Sequence, residues 1–226
     1  MTYTTVTDGV DYPQATHINQ FATGLDNLET GWTTGVGTWT YASATSITIP
    51  SGGTSIYAVG DKIKLTQTTV KYFYVVGVAS TTLTITGGTD YTLANAAITS
   101  PYYSHAASPV GFPGRFAYSP TLSFTAGTAP TTPVIQDYYF AVQGRVCTVS
   151  TYTTYTNAGA TVTAVSIPLP INNAFTGQVP YGAVTVSSTA NPTFASIASN
   201  NLNLNCTSVS ANRVTAGASA ASRFEA

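Results

Sequence analysis

From Trp32 onward the chain is a series of short runs that alternate polar and apolar residues, divided by Gly, Ser and Pro. "GTWTYAS", "TSITIP", "DKIKLTQ", "KYFYVVGVA" and "TTLTITGG" lead to about Gly88. "FAYSPTLSFTA", "DYYFAVQGRVCTVSTYTTYT", "ATVTAVSIPLPI", "YGAVTVSST" and "NNLNLNCTSVS" continue after Gly114. A period of two puts successive side chains on opposite faces of a pleated ribbon. Thr, Val and Tyr, which dominate these runs, suit such a surface. The pattern predicts an all-β protein: a small β-barrel followed by a jelly-roll sandwich, with one short N-terminal helix.

The helix is the exception to that rhythm. "ATHINQFATGLDNLETG" spaces Ile18, Phe21, Leu25 and Leu28 by three and four, which marks one face of a helix from about Thr16 to Leu28. Thr16 is placed to cap it and Gly31 to end it. A lone helix of this length is marginal in water, so its apolar stripe needs a partner. The chain therefore divides into an attachment segment over residues 1–31, a barrel module with linker over 32–113, and a jelly roll over 114–226. The linker reading covers residues 89–113, where Pro101, Pro109 and Pro113 each lack a ladder donor.

Charge narrows the function. Only 7% of residues are charged, against about 25% in an ordinary soluble domain. No basic cluster exists to hold nucleic acid. No run of about 18 apolar residues predicts a membrane helix, and the N-terminus lacks the basic and apolar regions of a signal peptide. Folding in the cytosol of a producing cell then favours free thiols at Cys147 and Cys206, with a bridge between them as the alternative. All three lysines, Lys62, Lys64 and Lys71, fall in one stretch. Alternation places Ile63 and Leu65 inward, and Lys62, Lys64 and Lys71 on the outer face. There they serve solubility, or contact an acidic partner.

Catalytic chemistry is poorly supplied. Glycoside cleavage needs two facing carboxylates. The eight acids are scattered, and Asp61 and Asp90 sit in turn-like settings. His17 and His105 have no nucleophile-elbow motif to serve. Two His and two Cys at positions 17, 105, 147 and 206 lack metal-ligand spacing. No cofactor is expected. The clusters Tyr72-Phe73-Tyr74, Tyr102-Tyr103, Tyr138-Tyr139 and Tyr152/Tyr155 read first as packing, and second as a surface for sugar or protein.

Three stretches resemble known modules. "DYPQATHINQFATGLDNLETG", with His17-Ile18-Asn19 at its centre, resembles the start of tailed-bacteriophage fibre and appendage proteins. "GTWTYASATSITIPSGG", continuing through "SPVGFPG", looks like a module of phage structural proteins. "YYFAVQGRVCTVSTYTTYT", with the later "VSIPLPINNAF", resembles the trimeric C-terminal jelly rolls of phage heads and tails, akin to the C1q and tumour-necrosis-factor architecture. The resemblance implies a non-enzymatic virion protein assembled in the host cytoplasm as a homotrimer. Its partners would be other virion proteins and a host surface glycan or protein. Ile18, Phe21, Leu25 and Leu28 would attach it, and Lys62, Lys64 and Lys71 would be available to a partner. A capsid decoration protein is the alternative within that class, and a depolymerase the alternative outside it.

Overall fold

The alternating runs become strands, and every ladder between them is antiparallel. The computed structural model describes residues 15–126, 132–156, 162–171, 185–187, 192–198, 201–209 and 214–223. The protein is all-β with a short N-terminal helix, as expected. Helix α1 (Ala15–Thr30) precedes β1 (Thr33–Thr34), β2 (Thr40–Ser43), β3 (Ser46–Thr48), a one-turn helix α2 (Gly53–Ile56), β4 (Lys62–Thr66), β5 (Val70–Val78), β6 (Thr82–Thr86) and β7 (Thr99–Ser104). Thr16 thus lies inside α1 instead of capping it, and α2 interrupts a stretch that the sequence pattern reads as strand throughout.

These seven strands form one sheet in the order β1-β7-β4-β5-β6-β3-β2. Its outermost strands, β1 and β2, are joined by only five residues, Gly35 to Trp39. Laid flat, seven strands would hold the outer two about 29 Å apart. The link reaches about 21 Å at full stretch. The sheet therefore has to curl, and the curl makes the core. Trp39 from the link, Ile47 from β3, Ile63 and Leu65 from β4, Phe73 from β5 and Leu83 from β6 meet in one buried cluster. In place of the closed barrel expected, the strand order is open and ends at β1 and β2. Among the described residues no ladder joins those two.

Strand β7 corrects the linker reading of residues 89–113. It lies between β1 and β4 although it contains Pro101. The pairing register with β4 shifts between Lys64 and Thr66, and Ser100 there adopts φ 45°. A bulge at this point removes the need for the donor that Pro101 lacks. The Pro101 carbonyl instead accepts the Gly35 amide at 2.7 Å.

The second unit comprises β8 (Phe116–Ala117), β9 (Ser123–Ala126), β10 (Thr132–Gln143), β11 (Val146–Thr156), β12 (Val162–Pro168), β13 (Thr185–Ser187), β14 (Pro192–Ala198), β15 (Asn201–Val209) and β16 (Val214–Arg223). They form a five-stranded sheet, β13-β16-β11-β10-β8, and a four-stranded sheet, β14-β15-β12-β9. Pairing is nested: β11 with β16, and β12 with β15. The turn expected at Gln143-Gly144-Arg145 is a two-residue hairpin loop. Gly144 has φ 56° while Arg145 keeps a negative φ, which suits a type II′ turn with glycine first.

That hairpin tip rests on the curled sheet. A Cβ on Gly60 would lie 2.0 Å from the Gly144 carbonyl oxygen, and one on Gly88 would lie 2.0 Å from that of Ala117. Around these contacts the Tyr74 ring meets Phe112, Phe116 and Phe140 at centroid distances of 5.1, 5.0 and 6.1 Å. Gly52 shares the φ of 94° found at Gly60 but has open space where a side chain would go. Gly52→Ala should therefore cost about 1–2 kcal/mol of backbone strain alone. Gly60→Ala should cost at least about 2 kcal/mol more, because the added methyl also forces the units apart. Urea unfolding of the two variants checks this, and equal losses would show that the contact is not tight.

Candidate functional site

Two regions carry the residues singled out in the sequence: α1 and the lysine-bearing hairpin β4–β5. They meet at Trp32. Gly31 ends α1 as expected, with φ 73° and its amide donating to the Asn27 carbonyl at 2.9 Å. This is the left-handed glycine stop of a helix. Immediately after it Trp32 is buried, and its indole Nε1 donates to the Val110 carbonyl at 2.8 Å. The Val110 amide returns a bond of 2.9 Å to the Thr30 carbonyl, one of the acceptors a helix end leaves unpaired. Pro109 closes over Gly31. The root of α1 is held at several points.

The helix beyond that root is bare. Phe21 is 64% exposed, Leu25 50% and Leu28 82%, so the apolar stripe is not packed on its own β units. Ile18 belongs to the same helix, and its side chain lies outside the described residues.

The lysines differ from expectation. Ile63 and Leu65 are fully buried in the curled core, as alternation requires. Lys62 and Lys64 are on the other face, but that face is not free. Lys62 is only 3% exposed, because its cross-strand neighbours are Tyr74 and Ser104, both buried. Burial depresses its pKa, with the neighbouring Asp61 carboxylate opposing the effect. Lys64 places Nζ 4.7 Å from the Trp32 ring centroid and 4.5 Å from that of Tyr102. A cation over two aromatic faces is attracted to both, so Lys64 serves as part of the helix root. Burial lowers its pKa too. Lys71 is opposite Leu65 and therefore shares the core-side face. Its Nζ donates to the Thr92 carbonyl at 2.6 Å and to Gln67 Oε1 at 3.2 Å. The exposed outer-face placement expected of Lys62 and Lys71 is thus corrected. Lys62 faces away from the core but is buried beside Tyr74 and Ser104, and Lys71 is turned inward by the length of the β4–β5 turn.

Sequence reasoning did not foresee one side-chain contact. His105 Nδ1 lies 2.8 Å from Asp61 Oδ1, while Asp61 Oδ2 accepts the Ala58 amide at 2.8 Å. The turn role expected of Asp61 is present, and it also orients an exposed histidine. Neither residue carries a sequence signal for the pairing, since 44 positions separate them. A carboxylate holding one imidazole nitrogen leaves the other nitrogen available for a proton or a metal. Among the described residues there is no group of three or more metal-ligating side chains. A cleft of about 200 Å³ at the junction of the two units is lined by Tyr74, Ser108, Phe112, Gln143 and Thr148 among others. It brings no acid–base pair to bear on a ligand. Cys147 is a free buried thiol whose pKa burial pushes up to about 12; the Cys206 side chain lies outside the described residues.

No family model matches this chain, and no curated protein or solved structure does either.

Lys62 offers a direct test of this burial. The charged form is disfavoured in the fold, so the penalty is fully present below the folded-state pKa. It is lost as pH rises from there to the unfolded value of 10.5. Lys62→Met should therefore stabilise the protein at neutral pH by about 1 kcal/mol. The advantage should shrink as pH approaches 10.5. Denaturation curves of both proteins across that window check it, and a loss of stability in the variant at pH 7 would contradict a net cost of burying Lys62.

Proposed function

We propose that this chain is a non-enzymatic structural protein of a tailed-bacteriophage particle, a homotrimeric fibre-like or spike-like appendage. Its helical end attaches and its β units face outward, toward a host surface glycan or protein. The observation that carries the reading is the clamped root of α1 with a bare apolar stripe beyond it. A helix fixed through Trp32 and Gly31, yet leaving Phe21, Leu25 and Leu28 in water, is built to be covered by something other than its own fold.

Other features agree with it. The nested pairing of β11 with β16 and β12 with β15 is the connectivity that a jelly roll requires. The stretches quoted above resemble phage appendage modules in the same order along the chain. Lys62 and Lys71 drop out of the partner surface, which leaves the helix as the leading attachment element.

Deleting residues 1–31 removes the Thr30 acceptor of the Val110 amide and should lower the thermal midpoint of the β units by no more than about 4 °C, since the exposed apolar stripe is not part of their cores. The same deletion should abolish incorporation into particles. Immunoblots of purified virions made with full-length and truncated chains measure this. Full-length chain missing from purified particles, or truncated chain loading normally, would overturn the reading.

A further inference from the structure

The stripe on α1 is more specific than an apolar face. Phe21, Leu25 and Leu28 follow one another at steps of four and three, and Ile18 precedes them by three. Strict alternation of three and four is the narrow seam of a coiled coil. A helix that lies on a globular surface buries a broader arc. The positions bordering this seam include Ala22 and Gly24, which are small enough to let a second helix approach.

We infer that copies of this chain associate through α1, packing their helices in parallel along the Phe21–Leu25–Leu28 seam. The inference deepens the attachment end proposed above, and it rests on that reading only for what the bundled helices then meet. Charge selects the occupant. The helix contains no Lys or Arg, and its two charged residues are Asp26 and Glu29. An interfacial lipid-binding helix wants a cationic polar face, which α1 lacks. In parallel packing Glu29 borders the seam opposite the position held by Gly24 in the neighbouring copy, so like charges do not meet. The root selects direction. Pro109 and Val110 flank the C-terminal end of the helix. Parallel copies carry each root at the same end of the bundle and keep all their β units together there, which is the arrangement the attachment reading needs. The polar positions Asn19, Gln20, Thr23 and Asp26 then form the outside of the bundle, and these are what a particle would contact.

The test uses the full chain. Leu25→Cys places a thiol in the seam, level with its own copy only if the helices are parallel. Thr23→Cys places one on the outside. Under mild oxidation with glutathione disulfide, Leu25→Cys should form cross-linked dimer at least about 10-fold faster than Thr23→Cys or the unmodified chain. Equal rates, or no cross-link in either, would overturn the inference. Separately, Phe21→Asp combined with Leu28→Asp should abolish the Leu25→Cys cross-link, whether or not the jelly rolls hold the copies together. The circular dichroism of the strands should not change, because both side chains are exposed. An unchanged cross-linking rate would overturn the inference. If the cross-link forms but the chain is missing from virions, the virion reading falls and the helix seam stands. If particles load normally and the seam tests fail, the seam falls and the virion reading stands.

Discussion

The five residues from Gly35 to Trp39 set the geometry of the first unit. They tie the two edges of a seven-stranded sheet closer together than a flat sheet allows. Curling is then obligatory, and it converts one face of every strand into a shared interior. Trp39 is at the end of that tether and fills the interior it creates, with its Nε1 donating back to the Val36 carbonyl at 3.2 Å. Gly35 permits this, since a Cβ there would lie 2.7 Å from the indole ring. A short link, a glycine and a tryptophan act as one device.

The outer face of the same sheet became a junction. Strands with one buried face ordinarily show the other to water. Here the Tyr74 ring lies against Phe116 and Phe140, and the Gly144 hairpin tip meets Gly60. Burying an ammonium works against stability, and at Lys62 the neighbouring Asp61 carboxylate offsets part of that effect.

Much of this was legible in the alternation. Ile63, Leu65 and Phe73 point inward as the period-two pattern demands, Gly144 turns the long ribbon, and Gly31 ends the helix. What alternation cannot supply is the layer above a strand. It shows that Lys62 and Tyr74 face away from the core, but the rings that cover Tyr74 come from Phe116 and Phe140, far along the chain. Lys71 was misplaced for a different reason. The β4–β5 connection of Gln67, Thr68 and Thr69 sets it opposite Leu65, and only the pairing register reveals that. Pro101 hid β7, because a bulge that excuses a missing donor leaves no mark in the residue pattern. The bareness of Phe21, Leu25 and Leu28 was half visible. The spacing showed a stripe in need of cover, and the clamp at Trp32 that keeps the helix in place came from Val110, 78 residues away.

The clamp also fixes how the molecule would answer a pulling force. Tension applied at the N-terminus travels down α1 to Gly31 and enters the sheet at β1, which is two residues long and pairs only with β7. The first links to bear load are therefore two residue pairs of ladder, the bonds of Val110 to Trp32 and to Thr30, and the Lys64 ammonium against its two rings. The curled core behind them, joined by the longer ladders of β4 to β6, is loaded only after these give way. The root of the helix is then a mechanical fuse: it yields while the β units keep their shape, and it can re-form when the tension is released.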